Sequence, residues 1–491
     1  MASFDNTLKF FLSDYPRTLF PLETSKIVIT QAVDELSDYV YQSILGDGGD
    51  KFLPQTRVYA AKHGLHLRRT VKLDPVAEFY IYDLVYRNRT TFRKDFLETR
   101  KSFGYRFEHG EIISPSDSYR DFKADTSKAA KTYAYGVKFD ISSYFNSIYH
   151  HDLVIWFNDG SRSEEDVLGF DSFLKQINAG RSVDCLPQGI MPCKILGNHF
   201  LKFVDDSNRI KSELLLRFMD DYCLYSNHED TIVSDFALIQ RLLGEKNLSI
   251  NPSKTKIGDI EEVDVKKEID DLKLSLLKVR RYIVRDYDKE NVVEVQQRIA
   301  LNQEQIGYLL NLLKSEIIEE EDAELVLTLM REHSKEVAGY IGTFLERFPN
   351  LTKNIYYFCH YVADKEGIAS QIQDFLAEKG YVTEYQLFWI AKIVEDYLLK
   401  TKKAGSLLSQ LYEHPNASII SQAKILEIPE NRFGMKALRE EHLRTGKSDW
   451  LAWAAAIGCR NEPKANRNHL LSYFANGSPI NRLIAECVKR L

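Results

Sequence analysis

Arg217-Phe218-Met219-Asp220-Asp221-Tyr222 is the stretch on which the reading of this chain turns. Leu214-Leu215-Leu216 precedes it and Cys223-Leu224-Tyr225 follows, so two adjacent carboxylates sit inside an apolar run. A buried, unpaired carboxylate takes up a proton sooner than it stays charged. Something must offset that cost, and a divalent cation is one answer. An ordinary Asp-Asp turn between two strands is the other.

Upstream lies Ala134-Tyr-Gly-Val-Lys-Phe-Asp-Ile-Ser-Ser-Tyr-Phe-Asn-Ser-Ile148. Tyr135, Val137 and Phe139 alternate as a strand does, and the strand delivers Asp140 at its end. Ser142 or Ser143 can cap the helix that follows, with Tyr144, Phe145 and Ile148 on its apolar side. A carboxylate at a strand exit suits a cation; a cap or turn role is the bland alternative. Leu186-Pro-Gln-Gly-Ile-Met-Pro-Cys193 reads as a turn feeding a helix, and Gly189 allows a close backbone approach beside the Gln188 amide. Downstream, residues 229–246 are helical by periodicity. Leu248-Ser-Ile-Asn-Pro-Ser-Lys254-Thr-Lys256 then reads as strand, turn and strand.

Residues 1–50 read as amphipathic helices that end in a Gly-rich break at 46–50. Residues 56–75 read as strands carrying Arg68, Arg69 and Lys72, and 76–88 as a helix. Lys101-Ser-Phe-Gly-Tyr-Arg106 interleaves aromatic and basic residues, which can stack bases and contact phosphates or simply cover a core. Past residue 260 Lys, Glu, Leu and Ile rise. Helical periodicity covers 263–287, 292–315, 323–346, 368–378, 384–400 and 466–491, suggesting a bundle or a stacked helical-repeat array. The Glu-rich run 316–324 reads as a solvated helix face.

With 491 residues, two or three domains are expected. The formal net charge is −6, yet residues 51–110 hold 13 Lys and Arg against 6 Asp and Glu, a local basic patch that suits a polyanion. None of the six cysteines forms a C-x-x-C pair, and no zinc-finger spacing occurs, so packed free thiols are expected. The first residues do not read as a signal peptide and no apolar run approaches a membrane span, so a soluble cytoplasmic protein without a membrane partner is the expectation.

Taken in order, Asp140, the L-P-Q-G turn 48 residues on at Gln188, the F-M-D-D stretch 80 residues on at Asp220, and the L-x-I-N-P-x-K-T turn resemble the palm of reverse transcriptases. The resemblance covers roughly residues 60–260. It implies an α+β fold: right-hand polymerase fingers and palm at 56–260, after an N-terminal helical extension at 1–55. An all-α, helical-repeat-like C-terminal domain at 261–491 takes the place of a thumb. It implies an RNA-directed DNA polymerase acting on dNTPs with two Mg2+ ions, Mn2+ being the alternative. Nucleotidyl transfer uses such ions about 3.5–4 Å apart to activate a 3′-hydroxyl and stabilise leaving pyrophosphate.

By the same resemblance Asp140, Asp220 and Asp221 are the catalytic metal ligands, with the Ile141 carbonyl completing the set. Lys254 is the candidate acid for pyrophosphate, Lys256 being its near neighbour. Phe145 excludes a 2′-hydroxyl, its alternative being a plain core position. Gln188 and Gly189 line nucleotide and template, Arg69 and Lys72 clamp triphosphate, and Arg106 contacts template. The chain departs from the pattern at Phe218 for Tyr, Cys193 for Ser, Pro192 for Gly and Asn146 for Asp, and none of these removes a metal ligand.

No RNase H, zinc-knuckle, integrase or HNH pattern follows the palm, and the long helical tail resembles bacterial abortive-infection, AbiK-like, defence-associated enzymes. That finer resemblance implies anti-phage defence, a homo-oligomer, a dedicated non-coding RNA template, and a DNA product attached to a tyrosine hydroxyl. The alternatives are template-independent, protein-primed synthesis of the terminal-transferase kind, and an inactive palm serving as a nucleic-acid-binding scaffold.

Overall fold

The computed structural model describes residues 4–263 apart from 94–96, 162 and 182–185, and residues 301–491 apart from 315–317, with 272, 273 and 276 between. Helices α1 (Asp5–Asp14), α2 (Glu23–Gln31) and α3 (Val33–Asp38) come first. Strands β1 (Thr56–Ala61) and β2 (Leu67–Lys72) pair antiparallel, Thr56 opposite Lys72. Helix α4 (Pro75–Arg87) follows. Its start has a local cause: Pro75 presets the first turn, and the Asp74 carboxylate accepts from the Val76 and Ala77 amides, both at 2.9 Å. Every residue of α4 from Pro75 to Val85 is buried, because α1, α2 and later helices enclose it.

The sheet that places the chemistry has five strands. They are β3 (Arg100–Phe103), β6 (Tyr135–Asp140), β7 (Leu214–Phe218), β8 (Asp221–Ser226) and β9 (Lys256–Asp259), in the order β3-β7-β8-β6-β9. A small hairpin, β4 (Phe107–Glu108) with β5 (Glu111–Ile112), stands apart. Alternation gives the sheet two faces. Val137, Phe139, Tyr222 and Leu224 join the large core under helix α11 (Glu229–Gly244). Cys223, Tyr225 and Leu216 form a smaller core with Phe122 of α5 (Pro115–Ala129). Between β6 and β7 lie α6 (Tyr144–Ser147), α7 (His150–Gly160), α8 (Glu164–Ile177), α9 (Met191–Phe200) and α10 (Lys202–Asp205). Ser143 is the residue before α6, but it has φ +48° and its side chain caps nothing; Asn146 N–H bonds its carbonyl instead, at 2.8 Å.

Beyond β9 the described chain is helical. The helices Thr352–Cys359, Glu384–Ile393, Ile419–Leu426, Trp450–Gly458 and Pro479–Arg490 pack each on the next but one in sequence, forming one layer. Ile341–Arg347, Lys365–Glu378 and Ala404–Tyr412 stack likewise in a second, so of the two arrangements expected the stacked array is present. Two expected helices are broken. Residues 323–346 divide into Glu320–Leu329 and three shorter pieces ending in Ile341–Arg347, and Ser334 Oγ in the break donates to the Tyr361 carbonyl at 2.8 Å. Residues 466–491 divide before Pro479, where the Ser478 side chain caps a new helix. The helix expected at 263–287 lies outside the described residues but for 263, 272, 273 and 276, and 292–300, ahead of Gln303–Lys314, lies outside them entirely, as does Cys185. The other five cysteines are buried free thiols. Among the described residues no helix is long and apolar enough to cross a membrane.

Residues 15–22, between α1 and α2, are bonded to the helical array. The carbonyls of Pro16, Thr18 and Leu19 accept from Tyr357 OH (3.3 Å), Lys353 Nζ (3.2 Å) and Trp389 Nε1 (3.1 Å). Phe20 stands edge-on to Tyr385 and Phe388. Leu22 has no side chain able to cap α2, so the orphan amides of Glu23 and Thr24 are met by the Glu427 carboxylate, at 3.0 and 3.1 Å. Lys424 pairs with Glu427 at 2.7 Å and with Glu395 at 2.6 Å, completing a buried network.

Candidate active site

Register brings the acids together. Asp140 ends β6 directly opposite Asp221 at the start of β8. Phe218 pairs with Asp221, so Met219 and Asp220 are the two-residue tip of the β7–β8 hairpin. Met219 takes φ +56°, the left-handed conformation that tight hairpins demand. The L-x-I-N-P-x-K turn is zipped onto the end of β6. Asn251 N–H donates to the Asp140 carbonyl (2.9 Å), Ser142 N–H to the Ser249 carbonyl (2.7 Å), and Ile141 bridges Ile250. Asn251 Oδ1 accepts from Ser253 N–H at 3.2 Å and shapes the turn. Lys254 Nζ thereby reaches Asp140 Oδ2 at 2.5 Å.

The electrostatics follow from crowding. Burial and the neighbouring Asp221 push the Asp220 carboxyl up to about 6. Burial and Asp140 raise Asp221, with Lys254 and Lys123 acting against them. The Lys254 ammonium is raised by its hydrogen bond to Asp140. Asp140 Oδ1 is buried with no hydrogen-bond partner.

Among the described residues no three His, Cys, Asp or Glu side chains stand close enough together to hold a metal ion as they are, and Lys254 occupies one oxygen of Asp140. The donor set nonetheless fits a hard divalent cation: carboxylates only, one with an orphaned buried oxygen and two held above their ordinary range.

The hairpin is held from behind by a residue the sequence reading passed over. Arg217 is fully buried on β7. Its Nε bonds Asp205 Oδ1 at 2.9 Å, and its other nitrogens reach Asn198 Oδ1 (3.2 Å), the Met219 carbonyl (3.0 Å) and Ser102 Oγ (2.8 Å). One strand, two helices and the hairpin tip are thus tied to a single guanidinium. A lone Arg in an otherwise apolar strand was the available signal.

Phe145 is half-buried, and its ring lies against α9 at Gly197, where an added Cβ would come within 3.2 Å of it. Its carbonyl accepts from Leu186 N–H at 2.9 Å, which joins the L-P-Q-G turn to α6. Gln188 is fastened to β2 through Thr70, whose Oγ1 accepts from Gln188 N–H (2.7 Å) and donates to its carbonyl (3.1 Å). Gly189 has φ +95°, and a Cβ there would meet Leu19 at 2.5 Å.

The structure therefore gathers Asp140, Ile141, Asp220, Asp221 and Lys254, with Phe145, Gln188 and Gly189 on elements tied to α6 and β2. Arg69 lies on β2 opposite Tyr59. Lys72 and Arg106 depart from expectation. Lys72 is buried, bonds Glu78 at 2.8 Å and faces the Trp450 ring, so its charge is spent inside the fold. Arg106 is buried against the Ser102 carbonyl (3.3 Å) and Glu108 (3.2 Å), bracing its own loop.

Comparison with known proteins agrees with this geometry. The model of the reverse transcriptase (RNA-dependent DNA polymerase) family matches residues 89–309. Among solved structures, telomerase from Candida albicans with a fragment of telomeric RNA is similar at TM-score 0.33 and 11% identity, over 74% of this chain and 62% of that one. Apo telomerase from Candida tropicalis is similar at TM-score 0.33 and 13% identity, over 79% and 74%. This chain thus spans less than two thirds of the first of these, and TM-scores so low leave the fold to rest on the palm topology and the family match. No curated protein matches the sequence. Residues 89–309 are a reverse transcriptase domain, the nucleotidyltransferase domain of RNA-dependent DNA polymerases.

Proposed function

We propose that the protein synthesises DNA from dNTPs on an RNA template, with 56–260 as its catalytic unit, 1–55 as an extension and 261–491 as a helical domain. The observation that carries this reading is the pairing of Asp140 with Asp221 beside Asp220 at the hairpin tip, within a reverse transcriptase domain. Asp140, Asp220, Asp221 and the Ile141 carbonyl would hold Mg2+, or Mn2+. When bound, such ions polarise the reacting phosphate and favour the 3′-alkoxide. Lys254, kept charged by Asp140, is placed to hold a proton for departing pyrophosphate. Phe145, propped by Gly197, narrows the sugar position and so favours dNTPs. Gln188, its backbone fastened to Thr70, presents its side-chain amide to nucleotide and template beside the Gly189 backbone, and Arg69 is the remaining candidate for the triphosphate.

The test is primer extension on RNA with Mg2+ and each dNTP, comparing the natural protein with Asp220→Asn. Template-dependent product lost in the variant is expected; product that persists in Asp220→Asn would refute the assignment.

The stacked helical array after the palm supports the finer reading: a bacterial, cytoplasmic anti-phage enzyme of the abortive-infection kind, homo-oligomeric, using a partner non-coding RNA and priming on a tyrosine. One observation favours a second reading, template-independent synthesis. Leu19 packs on Gly189 and narrows the approach a template base would use. Product made equally with and without RNA after nuclease treatment would select that second reading.

A further inference from the structure

The loop between α10 and β7 is pinned to helix α11. Buried Asp235 of α11 accepts from the Lys211 and Ser212 amides at 2.9 and 2.6 Å, and from Ser212 Oγ at 2.5 Å. Arg100 Nη2 holds the same loop from β3, donating to the Ile210 carbonyl at 3.0 Å. Between this fixed loop and α11 runs an open groove of about 530 Å³. Arg209 and Lys211 line it from the loop and Arg241 lines it from the helix, and all three are exposed. None of the three side chains has an ion pair or a hydrogen bond with a described residue. Two acids share the groove. Asp235 has Oδ2 spent on the loop, and Asp230 is exposed. Three mobile cations therefore face one exposed carboxylate, and the groove carries a net positive charge.

Its shape narrows the choice of anion. On the helix side it extends from Asp230 to Arg241, eleven residues of α11 and about 16 Å, much longer than one phosphate group. Guanidinium groups match phosphate oxygens in pairs. The hydroxyls of Thr231 and Ser234 line the same side, and neither bonds a described residue. Such hydroxyls can meet the 2′-hydroxyl that RNA has and DNA lacks. The groove is also remote from the acids, because it lies at the start of β7, whose other end carries the hairpin tip five residues and about 15 Å away.

We propose that this groove binds the phosphodiester backbone of RNA, at a stretch of the strand apart from the nucleotides being copied. The proposal rests on the polymerase reading above, which supplies the RNA, and extends it. Arg209, Lys211 and Arg241 each contact a phosphate, and the bond network of Asp235 holds the two loop cations in place for it.

The test is fluorescence anisotropy of labelled oligouridylate and oligodeoxyuridylate without dNTPs, from about 50 to 200 mM salt. For a single strand each phosphate contact contributes roughly 0.7 to the slope of log affinity against log salt, so replacing Arg209, Lys211 and Arg241 together by Ala should flatten it by about 2. Each replacement alone should flatten it by about 0.7, which keeps the test open should the triple variant fail to fold. Asp230→Ala should act in the opposite sense and tighten binding. Thr231→Val with Ser234→Ala should erase the preference for oligouridylate and leave the slope as it was. An unchanged slope in the single and triple variants, or no binding by the natural protein, would overturn the site. Equal affinity of the natural protein for the two oligonucleotides would overturn its assignment to RNA. Failure of the polymerase reading is seen separately, in Asp220→Asn retaining incorporation while the binding slopes stand.

Discussion

Replacing Arg217 by Met removes the charge that ties the catalytic hairpin to its support while keeping most of the volume. Burial is the largest influence and opposes the Arg217 charge, but Asp205 together with Tyr222 and Tyr144 outweighs it and raises the guanidinium above its ordinary range. In the variant Asp205, itself buried, loses that partner, and the Asn198, Ser102 and Met219 acceptors lose their donors. Breaking a buried pair from one side costs about 3–5 kcal/mol. Arg217→Lys keeps a charge but not the planar fork, and should fall between. The assay is urea unfolding followed by tryptophan fluorescence, with Asp205→Asn and the double variant alongside. Because both members serve one network, the double variant should lose less than the sum of the singles, with a coupling of about 0.5–3 kcal/mol. Nucleotide incorporation should fall even where the variant is still folded, because Met219 holds its left-handed conformation at the tip with its carbonyl bonded to Arg217. A loss below about 1 kcal/mol, or strict additivity, would refute the claim that this guanidinium organises the site.

Three further outcomes are expected. The raised Asp220 and Asp221 carboxyls favour the protonated fold, so without a cation the stability they lend below about pH 4 is lost as pH rises through about 6. Mg2+ should therefore raise the melting temperature most above that range and little near pH 5 (about one unit below the Asp220 value), and thermal melts of Asp220→Asn should show a much smaller Mg2+ effect. Gly189→Ala meets both a +95° φ and a 2.5 Å clash with Leu19, so a loss of about 1–3 kcal/mol is expected, partly recovered by adding Leu19→Ala and read by urea midpoints. Phe145→Ala should raise incorporation of rNTPs relative to dNTPs by about tenfold or more in single-nucleotide extension; an unchanged ratio would leave Phe145 a core residue alone.

The three acids of the candidate site were legible because a strand, a hairpin and a turn each carry local signals, and their order along the chain is itself information. Alternation placed Asp140 at the end of β6, and the apolar flanks of Asp220-Asp221 marked the hairpin. What sequence could not give was which cations face inward. Lys72 reads like Arg69, yet Glu78, six residues away on another element, draws Lys72 into the core. Arg217 was opaque for the same reason, its partners Asp205 and Ser102 being supplied by tertiary packing. The helical tail was legible as helices but not in its breaks. The interruption after Leu329 is held by a long-range bond to Tyr361, whereas Ser478-Pro479 is a local stop-and-cap signal that the periodicity over 466–491 overrode. Nothing in residues 15–22 advertised that three of their carbonyls would be bonded by the array.

That segment sets a timetable for biosynthesis. Leu19 waits for Trp389, and the amide of Glu23 for Glu427, a separation of 404 residues. At about 5–20 residues per second, that wait lasts on the order of 20–80 s. For about its second half the carboxylates of the palm have already been synthesised while the amides at the start of α2 remain unmet. The catalytic part and the array therefore cannot mature independently. A chain interrupted between residues 260 and 427 would carry all three acids of the candidate site and yet lack the carboxylate that fastens its own beginning.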